Sequence, residues 1–136
     1  MTEPEGPTSA GSREGTQSGG GTAAAADCPM HVALAAALDR LPLAPNAKWR
    51  HGVFDVEVFR KGGVSAAVFA PRIEDLQTPH DEDELYLIAS GSGELDVDGD
   101  PVRFAPGDLI YVPAGVPHRF TGPLDELVAW VVFLPA

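Results

Sequence analysis

A single cysteine, Cys28, stands in a chain of 136 residues, so no disulfide can close within it and stability has to come from packing. Basic residues are scarce too: 9 Lys and Arg face 20 Asp and Glu, a formal net charge of −11 at pH 7. Without a Lys/Arg cluster there is no electrostatic footprint for a phosphate backbone or an anionic lipid surface, which argues against nucleic-acid and membrane partners. No run approaches the roughly 20 apolar residues of a spanning helix. The N-terminal stretch is acidic and Gly-rich where a secretory signal would be basic and then apolar, and the expected setting is cytoplasmic. Aromatic residues make up only 7%, yet 44% of the chain is hydrophobic, which suffices for one core, and the length fits one domain.

That apolar material is unevenly distributed. Residues 1–29 consist largely of Gly, Ser, Thr, Glu, Pro and a run of four Ala, a composition that buries too little to offset its ordering entropy, and a disordered tail is expected there. Residues 30–136 are expected to form the folded domain. Met30, Leu34, Leu38 and Leu41 recur at helical spacing, with Asp27 as N-cap and Pro42 as stop, which predicts a short amphipathic packing helix over 30–41. After Pro45 the chain turns to short runs rich in Val, Phe, Tyr and Ile, punctuated by Gly, Pro and Asp. The runs are Trp49–Phe59, Val64–Phe69, Glu84–Ala89, Glu94–Val97, Pro101–Phe104, Asp108–Val112, Pro117–Thr121 and Leu127–Leu134. Such strands predict an all-β fold over 46–135, a small antiparallel β-barrel or jelly roll. No helix long enough for a βαβ crossover separates them, which excludes a parallel sheet. Leu85–Ile88 and Val128–Phe133 are apolar on both faces, so a homodimer joined face to face or edge to edge is expected.

Two stretches carry chemistry. In the first, three residues separate His80 from Glu84 and six separate Glu84 from Gly91. On a strand, positions 80, 82, 84 and 86 share a face, so His80 and Glu84 would both project into a barrel interior if the strand reached back to His80. In the second, Gly107 is followed by five residues, Pro113-Ala114-Gly115, two more, and His118, a tight turn delivering a histidine to the next strand. Glu84 is a poor choice for a buried strand face unless paired or metal-bound, because an isolated buried carboxylate is costly.

These stretches resemble the two motifs of the cupin superfamily, G-x5-H-x-H-x3-4-E-x6-G and G-x5-P-x-G-x2-H-x3-N. The fifteen residues between Gly91 and Gly107 are similar to the spacing of small single-domain bacterial cupins. The first motif's leading Gly falls at Arg72 and its first His at Thr78, and the second motif's Asn falls at Gly122. The resemblance implies one divalent metal ion, of Fe, Mn, Ni or Zn, held by His80, Glu84 and His118; two imidazoles and a carboxylate suit a first-row ion with open positions. Gln77 lies one position out of register with the missing His, and a bend at Pro79 would bring its amide oxygen in as a fourth ligand. Tyr86 is the catalytic candidate, its hydroxyl orienting Glu84 or meeting a substrate, against the alternative of an aromatic core filler. Phe120 is expected as pocket wall, and Arg50 and His51 as candidates for the mouth. Asp81, Glu82 and Asp83 read as a solvated acidic loop, and Asp108 as a turn residue. Cys28 and His31 form a Cys-x-x-His pair that, with no second pair, falls short of a zinc site.

The implied function is metal-dependent chemistry on a small-molecule substrate: a dioxygenase with iron, or isomerase or lyase chemistry with manganese, nickel or zinc. The alternative is a non-catalytic small-molecule-binding or sensor cupin with weak or no metal, which the loss of the motif's first His to Thr78 favours. A third class resembles the metal-free sugar-nucleotide epimerases of this fold, which use a His and Tyr pair.

Overall fold

Gly, Pro and Asp at close intervals leave the chain only short extended segments. A computed structural model describes residues 28–72, 75 and 77–136. From Val32 to Ala136 these form one compact unit. Its strands are β1 (Asp55–Lys61), β2 (Val64–Phe69), β3 (Asp83–Ser90), β4 (Gly93–Val97), β5 (Asp100–Phe104), β6 (Leu109–Val112), β7 (His118–Phe120) and β8 (Val128–Leu134). A five-stranded sheet runs β1-β2-β8-β3-β6 and a three-stranded sheet runs β5-β4-β7, with antiparallel pairing throughout. This is the expected all-β, barrel-like architecture. The first run begins later than expected, at Asp55, because Asn46 Oδ1 accepts the Lys48 and Trp49 N–H groups and curls that segment into an Asx turn.

The register sorts the large sheet into two faces. One inner row is Ser65–Phe133–Glu84–Val112 and the next is Ala67–Val131–Tyr86–Ile110. Across the interior, Leu95 and Phe120 pair on the small sheet, and both belong with Tyr86, Ile88, Phe104 and Val112 to one buried cluster. Its rings meet edge to face, Tyr86 against Phe120 at 5.2 Å and Phe104 against Phe120 at 5.5 Å between centroids. Pairs of this kind add about 0.5–1.5 kcal/mol each beyond their buried area.

The outer face carries the row Val56–Val68–Trp130–Leu87–Leu109. Helix α1 (Leu34–Leu38) covers its first half, where Leu34, Leu38 and Leu41 pack around Val56, Val68 and Trp130. The other half is open: Leu87 is 42% exposed, Leu109 60% and Tyr111 54%.

The helix is shorter than the expected 30–41. Its N-cap is Ala33, with no side-chain hydrogen bond. Arg40 and Leu41 N–H groups bond three residues back, to Ala37 and Leu38, which tightens and ends the helix before Pro42. Met30 is exposed and precedes the helix, and the expected cap Asp27 lies outside the described residues, as does nearly all of the expected tail. Among the described residues no helix is long and apolar enough to cross a membrane.

Candidate metal centre

Glu84 is the second residue of β3, on the inner face between Phe133 and Val112, and it is 1% exposed. His118 opens β7 from the opposite sheet and is likewise buried. The turn before it depends on Gly115, whose φ of +79° disfavours any side chain. That turn is fastened to the first motif: Gly115 N–H donates to the His80 carbonyl at 2.7 Å, and Ala114 N–H to Asp83 Oδ1 at 2.9 Å. These two bonds bring the rings of His80 and His118 to 5.7 Å between centroids.

His80 does not reach the site by strand alternation, because β3 starts only at Asp83 and residues 81 and 82 bend. It arrives from an irregular segment whose backbone is held by the Gly115 turn. Glu84 Oε2 nevertheless lies 3.4 Å from His80 Nε2 and 3.2 Å from His118 Nε2. One donor atom from each of His80, Glu84 and His118 lies within 4.8 Å of the others.

Proton counting shows what this arrangement can accept. His118 Nδ1 sits 2.9 Å from the Val116 carbonyl and donates to it, so Nε2 is the nitrogen that faces the site. His80 Nε2 faces two acceptors, Glu84 Oε2 and, at 3.3 Å, Gln77 Oε1. Lone-pair atoms thus converge on one point and must share either protons or a cation. The other Glu84 oxygen, Oε1, is buried without a hydrogen-bond partner among the described residues, an expensive omission unless positive charge is supplied. The donor set and the orphaned oxygen both fit a divalent ion.

The ionisable groups bear the marks of this crowding. Burial pulls His118 down, but its hydrogen bonds to Glu84 and the Val116 carbonyl, with the charges of Glu84 and Asp75, outweigh that, and its pKa is raised. Tyr86 is pushed well above the ordinary phenol value, first by burial and then by the Glu84 charge. Its hydroxyl donates to Gln77 Oε1 at 3.1 Å and lies 3.1 Å from His118 Nε2.

Gln77 therefore does aim its amide oxygen into the cluster. Thr78, in the place of the motif's first His, is exposed and is not among the residues lining the adjoining cavity. Asp75, which the sequence did not single out, is 4% exposed and accepts from both Gln77 nitrogens and from Phe120 N–H.

Beside the cluster lies a cavity of about 120 Å³, walled by Trp49, Val53, Phe54, Phe69 and Phe133, with Asp55 among its polar lining. Arg50 and His51, expected at the mouth, are not in its lining, and Phe120 packs in the core behind Tyr86. Trp49 was missed because its placement follows from the Asn46 turn, which has no periodic signal, whereas Asp55 opens β1 opposite Phe69. Cys28 and His31 are not part of the metal-competent group. Asp108 accepts from Ala105 N–H at 2.9 Å within its turn, as a structural residue would.

Comparison with known proteins fits this geometry. The family model for the cupin domain matches residues 67–134. An uncharacterized protein of Streptomyces coelicolor is 34% identical over 82 residues, 59% of this chain and 78% of that protein. Acireductone dioxygenase 1 of Coprinopsis cinerea is 42% identical over 53 residues, 35% of this chain and 29% of its own. The acireductone dioxygenase of Drosophila melanogaster is 43% identical over 47 residues, 31% of this chain and 25% of its own, so the chain spans less than a third of either dioxygenase. A cupin superfamily protein of Desulfitobacterium hafniense superposes with a TM-score of 0.53 at 20% identity, over 60% of this chain and 76% of that one. The EutQ protein of Clostridium difficile gives 0.54 at 21%, over 60% and 67%. These two structures share the fold.

Proposed function

The chain belongs to the cupin family, and we propose that it is a mononuclear metal-binding member of it, acting on a small molecule. In this reading His80, Glu84 and His118 hold one divalent ion and the Gln77 amide oxygen is a neutral fourth donor. The observation that carries it is Glu84, a buried carboxylate with one oxygen between two imidazoles and the other unpartnered. A two-histidine, one-carboxylate set suits iron with open positions, and the local likeness to acireductone dioxygenases supports oxygen chemistry ahead of isomerase or lyase chemistry. When bound, the ion supplies Lewis acidity and coordination positions at which substrate and co-substrate are brought together.

The side chains define the remaining roles. His118 is oriented by its Nδ1–H bond to the Val116 carbonyl, which leaves Nε2 as the ligating nitrogen. Tyr86, whose hydroxyl lies 3.1 Å from both Gln77 Oε1 and His118 Nε2, is placed to hydrogen-bond a substrate oxygen beside the ion. The aromatic wall of Phe54, Phe69 and Phe133 excludes water and packs against the apolar part of a small ligand. The open outer-face surface of Leu87, Leu109 and Tyr111 is assigned to a second copy of the chain, giving a homodimer.

The test is metal content by mass spectrometry of unchelated wild type beside His80→Ala and His118→Ala. Near one equivalent in wild type, lost in both variants, is expected. No metal in any of the three after reconstitution would overturn the reading in favour of a non-catalytic ligand-binding barrel.

A further inference from the structure

We propose that Asp75 is a positioning residue that holds the Gln77 side chain with its amide oxygen, and not its nitrogen, facing His80, Tyr86 and the ion. The inference rests on the metal-binding reading above and extends it to the group that fills the gap left by Thr78.

A primary amide is nearly symmetrical in shape, so rotating its end by half a turn exchanges oxygen for NH₂ at little steric cost, and the neighbours must choose. On the site side the neighbours do not choose. The Tyr86 hydroxyl, 3.1 Å away, can donate or accept, and His80 Nε2, 3.3 Å away, can do either according to its tautomer. On the far side Asp75 Oδ2 lies 2.6 Å from Gln77 Nε2. With the amide reversed, two oxygens would face each other at that distance.

Asp75 is itself fixed. Oδ1 accepts Gln77 N–H at 3.1 Å, and Oδ2 also accepts Phe120 N–H at 2.8 Å. Phe120 lies two residues beyond His118 on β7, so the carboxylate references Gln77 to the strand that carries His118. The short charge-assisted bond also draws electron density toward Gln77 Oε1, making it a better donor to a cation.

The test is a four-corner cycle read by Co²⁺ affinity and visible spectrum. Asp75→Asn has one acceptor oxygen for three N–H groups, which frees the amide to reverse, and is expected to weaken Co²⁺ binding by about tenfold or more. Gln77→Glu alone is expected to weaken binding as well, because it sets two carboxylates against each other. Combined, Gln77→Glu restores the affinity of Asp75→Asn to within about threefold of wild type, since a carboxylate has oxygen at both ends. Wild-type affinity in Asp75→Asn, or a loss that Gln77→Glu does not restore, overturns the proposal; the second outcome would mean that Asp75 only supports the fold. If wild type takes up no Co²⁺, the metal reading falls and the side-chain NH₂ resonances of Gln77 in metal-free protein decide the role of Asp75. A downfield, exchange-protected pair lost in Asp75→Asn supports the clamp, and a pair like that of a free amide overturns it.

Discussion

Replacing Glu84 by Gln while titrating metal tests the orphaned oxygen directly. An ion that binds only the folded state stabilises it by about 2.7 kcal/mol at a hundred times its dissociation constant. The unit from Val32 to Ala136 holds about 105 residues, whose unfolding entropy at the melting point is roughly 0.22 kcal/mol per degree. Wild type should therefore melt about 12 °C higher with saturating metal than after chelation. Glu84→Gln keeps the side chain's shape but removes the charge between His80 and His118, and its metal-linked shift should fall below about 3 °C. Without metal, the variant loses a charge-assisted bond to His118, about 1.5–3 kcal/mol, and replaces the buried unpartnered carboxylate oxygen by a neutral amide atom that costs less to leave unpartnered, so the two effects oppose. Scanning calorimetry with Mn²⁺, Fe²⁺, Co²⁺, Ni²⁺ and Zn²⁺, each against chelator, gives the four melting points needed per ion. A full shift retained by Glu84→Gln would place the ion elsewhere. No shift in wild type with any of the five would refute the reasoning from the unpartnered carboxylate oxygen.

In the metal-free protein the raised pKa of His118 contributes stability that is complete below the unfolded value of about 6.5 and is lost as pH rises through the folded value. Urea midpoints measured in chelator should therefore fall more steeply between pH 6 and 8 for wild type than for His118→Gln, and equal slopes would contradict this. At Gly91, with φ +88°, an added Cβ would lie 2.9 Å from the Glu126 carbonyl oxygen, whereas at Gly107, with φ +93°, it would meet nothing within 4 Å. Both Ala variants pay about 1–2 kcal/mol for the left-handed backbone, and Gly91→Ala should lose clearly more than Gly107→Ala in chemical denaturation. The proposed homodimer is expected to appear in sedimentation equilibrium of wild type and to be lost in Leu109→Glu, on the exposed outer face, with Co²⁺ affinity unchanged within about twofold. A wild type that sediments as a monomer would refute the assignment of that face.

Most strand positions were legible from the Gly, Pro and Asp turns between them, and β2 keeps both its expected ends, whereas β1 runs Asp55–Lys61 and not Trp49–Phe59. His80, Glu84 and His118 were legible as a set through motif spacing, although the strand alternation offered for His80 was not what placed it. Its position comes from a backbone bond to Gly115, and hydrogen bonds between loops leave no periodic trace in sequence. Asp75 was hidden for the same reason: an acid in an irregular acidic stretch reads as solvated, and only the fold reveals three N–H groups around it. The helix was overdrawn because the apolar period continues through Met30, which is exposed, and through Leu41, which packs on the core from a tightened turn just beyond the helix.

The bond from Gly115 N–H to the His80 carbonyl also has a kinetic side. It joins the backbones that bear the two imidazoles, so a swing of the turn at 113–117 both displaces the strand start that carries His118 and releases the bond that holds the His80 backbone. For an ion held as proposed, release would be coupled to that local opening, which exchange of the Gly115 amide reports.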